Sequence, residues 1–486
     1  MGALVAVIDK KGRAAAEKAL GMLEVLKHRF DHSYGIATKN SVFIAKKERK
    51  PTNKVSEAPV AIGYGLCKIK SEDTPQPILG ENFAFTINGR FFPQQKPSDM
   101  EFARNFLKNN PVKNAEELVK KFDGSYSFAV LHEDRIIVGR DPFGTSPLYY
   151  GENSRFAAVA TEMRALRKLG IKKVKSFPPG TISAITKDGL AFKKVRKVAK
   201  AFLRDIAEKE VIESFQKLLL ESVKERIADL DRFGLAFSGG VDSGVLALLT
   251  KKCGSTPELI SVGLEGGKEI NEAVSAAKEL GLSIKVKTFS EEEVAEAISK
   301  VLWIIEEPNP MKLSIAIPLF FAAKAAKENG LKVLLAGHGS DELFAGYKKY
   351  LQIFSEKGEK ALHETLCNDF LNCYKANFER DEKVCASHKL ELRLPFADWE
   401  LANYALKIPP KFKICLKESP SRKVILRKAA EKLDLPASIA YKPKKAIQYA
   451  TGVALILKKI ARRKGLSLQK FVEKAFNEAY MRKGDL

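Results

Sequence analysis

The sequence predicts two domains of different class: an α+β domain of stacked, mostly antiparallel sheets over residues 1–195, then an α/β domain on a parallel sheet over 208–486. Three observations carry that prediction. Up to about residue 195 the chain reads as short alternating strands punctuated by glycine and proline. Beyond about residue 204, helices and strands alternate, as they do where parallel strands are joined by crossover helices. Between the two regimes runs a basic, proline-poor connection, about Lys194 to Arg204.

In the first half, strands are expected at Ala3–Ile8, Ser33–Ala37, Val42–Ala45, Ala61–Ile69, Phe83–Ile87, Ser125–Leu131, Ile136–Val138 and Thr181–Ile185. Amphipathic helices are expected at Ala14–Leu26 and after the capping box Ser98-x-x-Glu101. In the second half a long helix, Glu208–Ile227, leads into a strand at Phe233. Strands at Leu259–Val262, Ile284–Lys287 and Val333–Ala336 follow, separated by helices after Ser243 and at Ile270–Leu280, Glu291–Ile305 and Ile315–Asn329. From about Leu343 the pattern is mainly helical.

The chain is organised around Phe233-Gly-Leu-Ala-Phe237 and the Ser238-Gly239-Gly240-Val241-Asp242-Ser243 that follows it. An apolar run of this kind reads as a buried strand, and adjacent glycines allow a tight turn whose backbone can approach a ligand. Strand, turn and helix start together gather backbone N–H groups and the positive end of a helix dipole, which suits a phosphate. The string lacks the lysine and spacing of a Walker loop. The other reading is an ordinary glycine turn.

A second constellation follows the strand at Val333: Gly337-His338-Gly339-Ser340-Asp341-Glu342-Leu343-Phe344-Ala345-Gly346-Tyr347. Ligands of parallel sheets bind at the carboxyl ends of the strands, where both strings fall. Asp242 and Asp341 are therefore candidates to hold Mg2+ on phosphates, since that ion keeps several waters and takes one or two carboxylates. Alternatively, Asp341-Glu342 simply starts a helix.

Composition narrows the class. The hydrophobic content of 45% supports real cores. The six cysteines form no C-x-x-C pair, so a disulfide scaffold is not indicated and a reducing cytoplasm is expected; a thiolate site from Cys367, Cys373 and Cys385 is the alternative to packing. The apolar run Ile315–Ala326 is too short for a bilayer and is broken by Lys324, so no membrane segment is expected. The net charge of +24 reflects either surface adaptation or a polyanionic partner such as RNA. It is densest over 442–486, with twelve Lys or Arg against three acidic residues.

The Ser238–Ser243 string resembles the pyrophosphate loop (PP-loop) of enzymes that split ATP between its α and β phosphates, and with Gly337–Tyr347 it resembles the synthetase domain of class B asparagine synthetases. There the second motif usually reads S-G-E-G-x-D-E-x-F-x-G-Y. Glu391-Leu-Arg393-Leu-Pro395-Phe396-Ala-Asp398 is similar to the family's E-x-R-x-P-F-L-D, and Lys423-Val-Ile-Leu426-Arg427 to its K-x-x-L-R. Lys442-Pro-Lys444-Lys445 opens a stretch similar to the late lysine segment. In the first half, Asn88-Gly89, Arg140-Asp141-Pro-Phe-Gly144, Thr161-Glu162-Met163 and Phe177-Pro178-Pro179-Gly180 fall where the family has its glutamine amidotransferase strings.

The resemblance implies an Ntn-hydrolase-like first domain and a second domain like the adenine nucleotide α hydrolases. It also implies a ligase that adenylates aspartate with ATP, releases pyrophosphate, and lets ammonia displace AMP. It assigns Ser238, Gly239, Gly240, Val241, Asp242 and Ser243 to pyrophosphate, and Ala236, Val262, Ala336 and Gly337 to the nucleotide. Asp242 and Asp341 take Mg2+. Lys444, or its neighbour Lys445, steadies transition-state charge, with His338 and Glu342 completing the catalytic set. A homodimer is expected.

Four positions depart from the family. Where the family begins Met-Cys-Gly, with cysteine as nucleophile, this chain has Gly2. The arginine expected for the glutamine carboxylate is Gly65, and the glutamate expected after Asn-Gly is Arg90. The first domain is thus expected to keep its fold without hydrolysing glutamine, Asn88-Gly89 being structural and ammonia coming free or from a separate glutaminase subunit. In the second domain His338 replaces a glutamate, which implies either an imidazole base for an amine nucleophile or a different substrate. The alternative activities are the same chemistry on another carboxylate, as in relatives that close β-lactam rings, or on an RNA-linked substrate.

Overall fold

The computed structural model describes residues 1–39, 41–46, 57–198, 201–203, 205–416, 421–443 and 445–483. The chain divides into two compact units: Met1–Lys197 with Ala386–Glu391, and Val198–Cys385 with the chain from Leu392.

The first unit holds thirteen strands among its described residues. They are β1 Gly2–Asp9, β2 Ser33–Ala37, β3 Val42–Lys46, β4 Val60–Leu66, β5 Ile78–Leu79, β6 Phe83–Phe92 and β7 Asp123–His132. After them come β8 Arg135–Arg140, β9 Tyr149–Glu152, β10 Phe156–Ala160, β11 Lys175–Ser176, β12 Thr181–Thr186 and β13 Gly189–Lys194. One sheet has the order β11-β9-β10-β1-β4-β2-β3, the other β13-β12-β8-β7-β6-β5. Leu4, Ala6 and Ile8 of β1, Ile62 of β4, and Ala84, Ala129 and Leu131 of the facing sheet share one core, so the sheets stack face to face.

Alternation decides what lies outside. Phe83, Phe85 and Ile87 of β6 point away from that core, onto helices α2 (Asp99–Leu107) and α3 (Pro111–Lys121). Helix α1 (Ala15–Glu24) packs on β1 and β4. The result is the expected α+β domain of stacked antiparallel sheets. Arg140 and Asp141 serve its architecture. The Arg140 guanidinium donates to the carbonyls of Gly144, Ser146 and Phe177, and the Asp141 carboxylate accepts from the N–H groups of Phe143, Thr145 and Ser146.

The second unit carries β14 (Gly234–Ala236), β15 (Glu258–Leu264), β16 (Ile284–Phe289) and β17 (Val333–Leu335) in the order β16-β15-β14-β17, with a short fifth strand ending at Arg393 beside β17. Strand β14 pairs in parallel with both β15 and β17, and β15 pairs in parallel with β16. Helices alternate with the strands: α4 (Glu208–Ile227), α5 (Val241–Lys252), α6 (Lys268–Glu279), α7 (Glu291–Ile305) and α8 (Pro310–Glu328). This is the α/β domain that the alternation predicts. Buried Arg393 ties its edge to Asp229, with Nη1 2.5 Å from Oδ1, and buried Arg226 bonds Asp398 at 3.0 Å, so the E-x-R-x-P-F-x-D string is framework. Among the described residues no helix is long and apolar enough to cross a membrane.

Candidate active site

The polar turn follows β14, and its conformation needs its glycines. Gly239 has φ +67°, and a Cβ there would lie 3.1–3.3 Å from Ala276, Ala273 and Glu272 of α6. Gly240 caps α5 with no side-chain hydrogen bond, and the backbone N–H groups of the helix's first turn point out at this end of the sheet. Ser238 and Ser243 close the turn: the Ser238 N–H donates to Ser243 Oγ at 3.2 Å, and the two hydroxyls lie 3.4 Å apart. Backbone N–H groups, hydroxyls and a helix N-terminus at one point can receive an anionic phosphate chain. Ala236 and Val262 lie at the carboxyl ends of β14 and β15, and Ala336-Gly337 just past β17, along the same sheet edge.

At that edge the two candidate carboxylates meet a lysine. Lys423 Nζ, buried at 1% exposure, lies 2.6 and 2.7 Å from the two Asp242 oxygens and 2.7 Å from Asp341 Oδ1, and donates to Ser340 Oγ at 2.9 Å. Two glycines make the meeting possible. A Cβ at Gly346 would run into Asp341, and one at Gly337 would sit 3.1 Å from the Asp242 Cβ. Lys423 adopts φ +59° at the start of helix Val424–Lys432, whose Arg427 holds the carbonyls of Ala440 and Lys442. The two carboxylates converge on one cation beside the turn, a donor set that suits hydrated Mg2+ shared with phosphate oxygens. Among the described residues no group of three or more His, Cys, Asp or Glu that could hold a metal ion is found, and Cys367, Cys373 and Cys385 are buried.

Sequence reasoning quoted Lys423 only as part of a motif and gave its charge role to Lys444 or Lys445. Lys444 lies outside the described residues. Lys445 is exposed and pairs with Glu269 at 3.2 Å, while Lys442 Nζ bonds the Ser238 carbonyl at 3.1 Å and Glu272 at 3.0 Å. The signal for Lys423 was its place directly before an apolar helix in K-x-x-L-R.

His338 occupies the turn after β17, its side chain 32% exposed, with Nδ1 2.8 Å from Oδ2 of the fully buried Asp381. Arg380 Nε donates to the other Asp381 oxygen at 2.7 Å. Burial opposes the charge on Asp381, but Arg380 and His338 outweigh it and hold the carboxyl below its ordinary value. Glu342 is buried and accepts from Tyr347 Oη at 2.7 Å and Asn377 Nδ2 at 3.0 Å. Burial, then the neighbouring Asp341, pushes its pKa up. Glu342 is thus built into the wall that carries Asp341.

In the first unit lie the five predicted positions of the glutaminase region, Gly2, Gly65, Asn88, Gly89 and Arg90, in altered surroundings. A Cβ at Gly2 would run into the Gly65 carbonyl and lie 2.9 Å from the Tyr64 ring. The Gly2 carbonyl accepts from Arg29 Nε at 2.9 Å, and Arg29 is itself buried against Glu162. A Cβ at Gly65 would strike the Phe30 ring. Arg90, buried, pairs with Asp73 and Glu391, each at 2.9 Å, and holds Asp73 well below the usual carboxylate range against the opposing effect of burial. The remaining cavity, lined by Tyr64, Asp73, Gln76, Arg90, Asp99 and Met100 among others, is ≈ 30 Å³. That is room for one or two waters, not for an amino acid. Asn88 bonds Ser146 Oγ through Nδ2 at 3.3 Å, and Gly89 at φ +119° has no room for a Cβ beside the Ser125 carbonyl.

Comparison with known proteins gives the family. The asparagine synthase family model matches residues 214–357 and 352–484, and a glutamine amidotransferase domain model matches 65–168. A Methanocaldococcus jannaschii protein named "Putative asparagine synthetase [glutamine-hydrolyzing] 1" is 30% identical over 97% of this chain and 98% of its own. Asparagine synthetase B [glutamine-hydrolyzing] of Escherichia coli is 28% identical over 71% of this chain and 64% of its own. Among solved structures, the glutamine phosphoribosylpyrophosphate amidotransferase of B. subtilis aligns at 16% identity over 59% of this chain and 81% of that one, with a TM-score of 0.36. The chain belongs to the asparagine synthase family and is an ATP-dependent carbon–nitrogen ligase.

Proposed function

We propose that this enzyme makes asparagine from aspartate and free ammonia through an aspartyl adenylate, and that it does not hydrolyse glutamine. The carrying observation is position 2, where the Gly65 carbonyl and the Tyr64 ring occupy the space of any side chain. The names of its relatives include glutamine hydrolysis; here the nucleophile, the arginine and the glutamate of that reaction are Gly2, Gly65 and Arg90.

A free carboxylate is a poor acyl donor because its leaving group is oxide, and adenylation replaces that with AMP. The aspartate oxygen attacks the α phosphorus of ATP, and pyrophosphate departs into the N–H groups and hydroxyls of Ser238–Ser243. Lys423 offsets the charge that develops there, the part the sequence reading gave to Lys444. Asp242 and Asp341 would hold Mg2+, which when bound neutralises phosphate charge. Ammonia then attacks the acyl carbon with His338 as its base, and Glu342 holds the Asp341 wall. Ala236, Val262, Ala336 and Gly337 line the nucleotide's edge. The surroundings are expected to be the cytoplasm and the assembly a homodimer.

His338, standing in place of a glutamate, favours a second reading: the same adenylation of another carboxylate, free or RNA-linked. The deciding measurement is pyrophosphate release from Mg·ATP and aspartate with ammonium, glutamine or no donor, using Asp242→Ala as blank. Turnover with ammonium but not glutamine is expected. Turnover with glutamine alone would refute the loss of glutaminase, and no aspartate-dependent release with any donor would move the search to other carboxylates.

A further inference from the structure

Helix Glu379–Ser387 opens with five consecutive charged residues, Glu379-Arg380-Asp381-Glu382-Lys383, all at 7% exposure or less. Buried charge is costly unless it is paired. Lys383 is matched by the buried Glu306 at 2.9 Å and Arg380 by Asp381 at 2.7 Å. What distinguishes Asp381 is its second oxygen, 2.8 Å from the ring of His338. A carboxylate 2.8 Å from Nδ1 favours the proton on that nitrogen, and a neutral ring of that tautomer has its lone pair on Nε2. Asp381 is fully buried while the His338 side chain is 32% exposed, so the open part of the ring lies on the side away from the carboxylate.

We propose that Asp381, itself fixed by Arg380, is a positioning residue that holds His338 in the Nδ1-protonated tautomer and stabilises the imidazolium formed when Nε2 takes a proton. The inference rests on the reading of His338 as base for the attacking amine. In that step the ammonia lone pair forms the bond to the acyl carbon of the adenylate. The bond from that carbon to the AMP oxygen breaks, AMP leaves with the electron pair, and one proton of the nitrogen passes to Nε2. The charged group against the ring is Asp381, with Arg380 behind it; three residues along the chain, Asp341 pairs with Lys423.

Asp381→Asn in the full chain tests this through the two half-reactions. Aspartate-dependent exchange of pyrophosphate into ATP reports adenylation and is expected within about twofold of the parent. Ammonium-dependent amide formation is expected to fall about a hundredfold or more. His338→Gln, which leaves the Asp381 pair with Arg380 in place, should show the same split, and the double variant should lose nothing more than His338→Gln alone. Amide formation unchanged in Asp381→Asn, parallel loss of both half-reactions in both variants, or additive losses in the double variant would overturn the proposal. The tautomer is also readable without any substrate, by 15N NMR of the ligand-free protein with His338 assigned through His338→Gln. Dominant protonation at Nε2 would overturn the proposal even if amide synthesis is found. Protonation at Nδ1 with no aspartate-dependent exchange would leave Asp381 as the positioning residue and remove only the aspartate reading.

Discussion

At position 2 a glycine is usually the mildest of residues, yet here the proposed loss of glutaminase turns on its missing side chain. On that proposal, restoring cysteine does not restore a nucleophile, because the Gly65 carbonyl and Tyr64 fill the place its Cβ needs. Gly2→Cys is expected to produce no glutaminase activity and to destabilise the first unit by about 1–3 kcal/mol, the cost typical of overpacking. Glutamate release from glutamine and a thermal melt of the variant check both halves; glutaminase activity would reverse the argument. The sequence displayed three of these changes as breaks in familiar strings. It did not display Tyr64 or Phe30 as their cause, because neither departs from any pattern and each acts only on a residue its strand or loop happens to face. Asp381 was hidden for the same reason: in a run of five charged residues nothing marks the one that meets His338.

Among the elements, those with strong periodicity were legible. The helices Glu208–Ile227 and Glu291–Ile305 fall where expected, the latter with Ser290 and Glu293 forming a full capping box. At Ser98 only half of the predicted box is made: Ser98 Oγ accepts from the Glu101 N–H. Helix α8 begins at Pro310, ahead of the expected Ile315, because Asn309 accepts from the N–H groups of Met311 and Lys312 and proline suits the first helical position. Strands Tyr149–Glu152, Phe156–Ala160 and Gly189–Lys194 were not foreseen. They are short, and β10 is buried at every position, so it shows no alternation. The turn at Gly239 gives this scale its prediction. Gly239→Ala forces a left-handed alanine, at about 1–2 kcal/mol, against the backbone of α6, and is expected to abolish pyrophosphate release. Gly254→Ala carries a similar φ of +78° with nothing within 4 Å, so it should cost similar stability and leave turnover intact. Equal losses in the two variants would mean that strain alone, not the shape of the turn, is responsible.

For the whole molecule the net charge of +24 sets the background, and one buried cation stands out against it. Lys413 is fully buried, and its Nζ donates to the Ala405 carbonyl at 2.7 Å. Burial pushes its pKa down to about 7. An unfolded lysine titrates near 10.4, so between these values the unfolded chain binds more protons and stability rises with pH. Below about pH 7 the cost is present in full. Lys413→Met is expected to stabilise the protein at neutral pH and to flatten the rise in stability between about pH 7 and 10 by up to ~1.4 kcal/mol per pH unit. Denaturant melts of both proteins across that range test it, and parallel curves would rule it out.

The sequence by itself determined the two fold classes, the glycine turn after β14 and the acidic pair near it, because each is written in local periodicity and in glycines whose spacing a turn requires. It determined too that the glutaminase strings are broken. Only the tertiary structure decided which lysine stands between Asp242 and Asp341, what closes the space at Gly2, and which carboxylate holds His338. Each of these joins residues from separate elements, and local pattern carries no information about which side chains the packing of sheet and helix brings face to face.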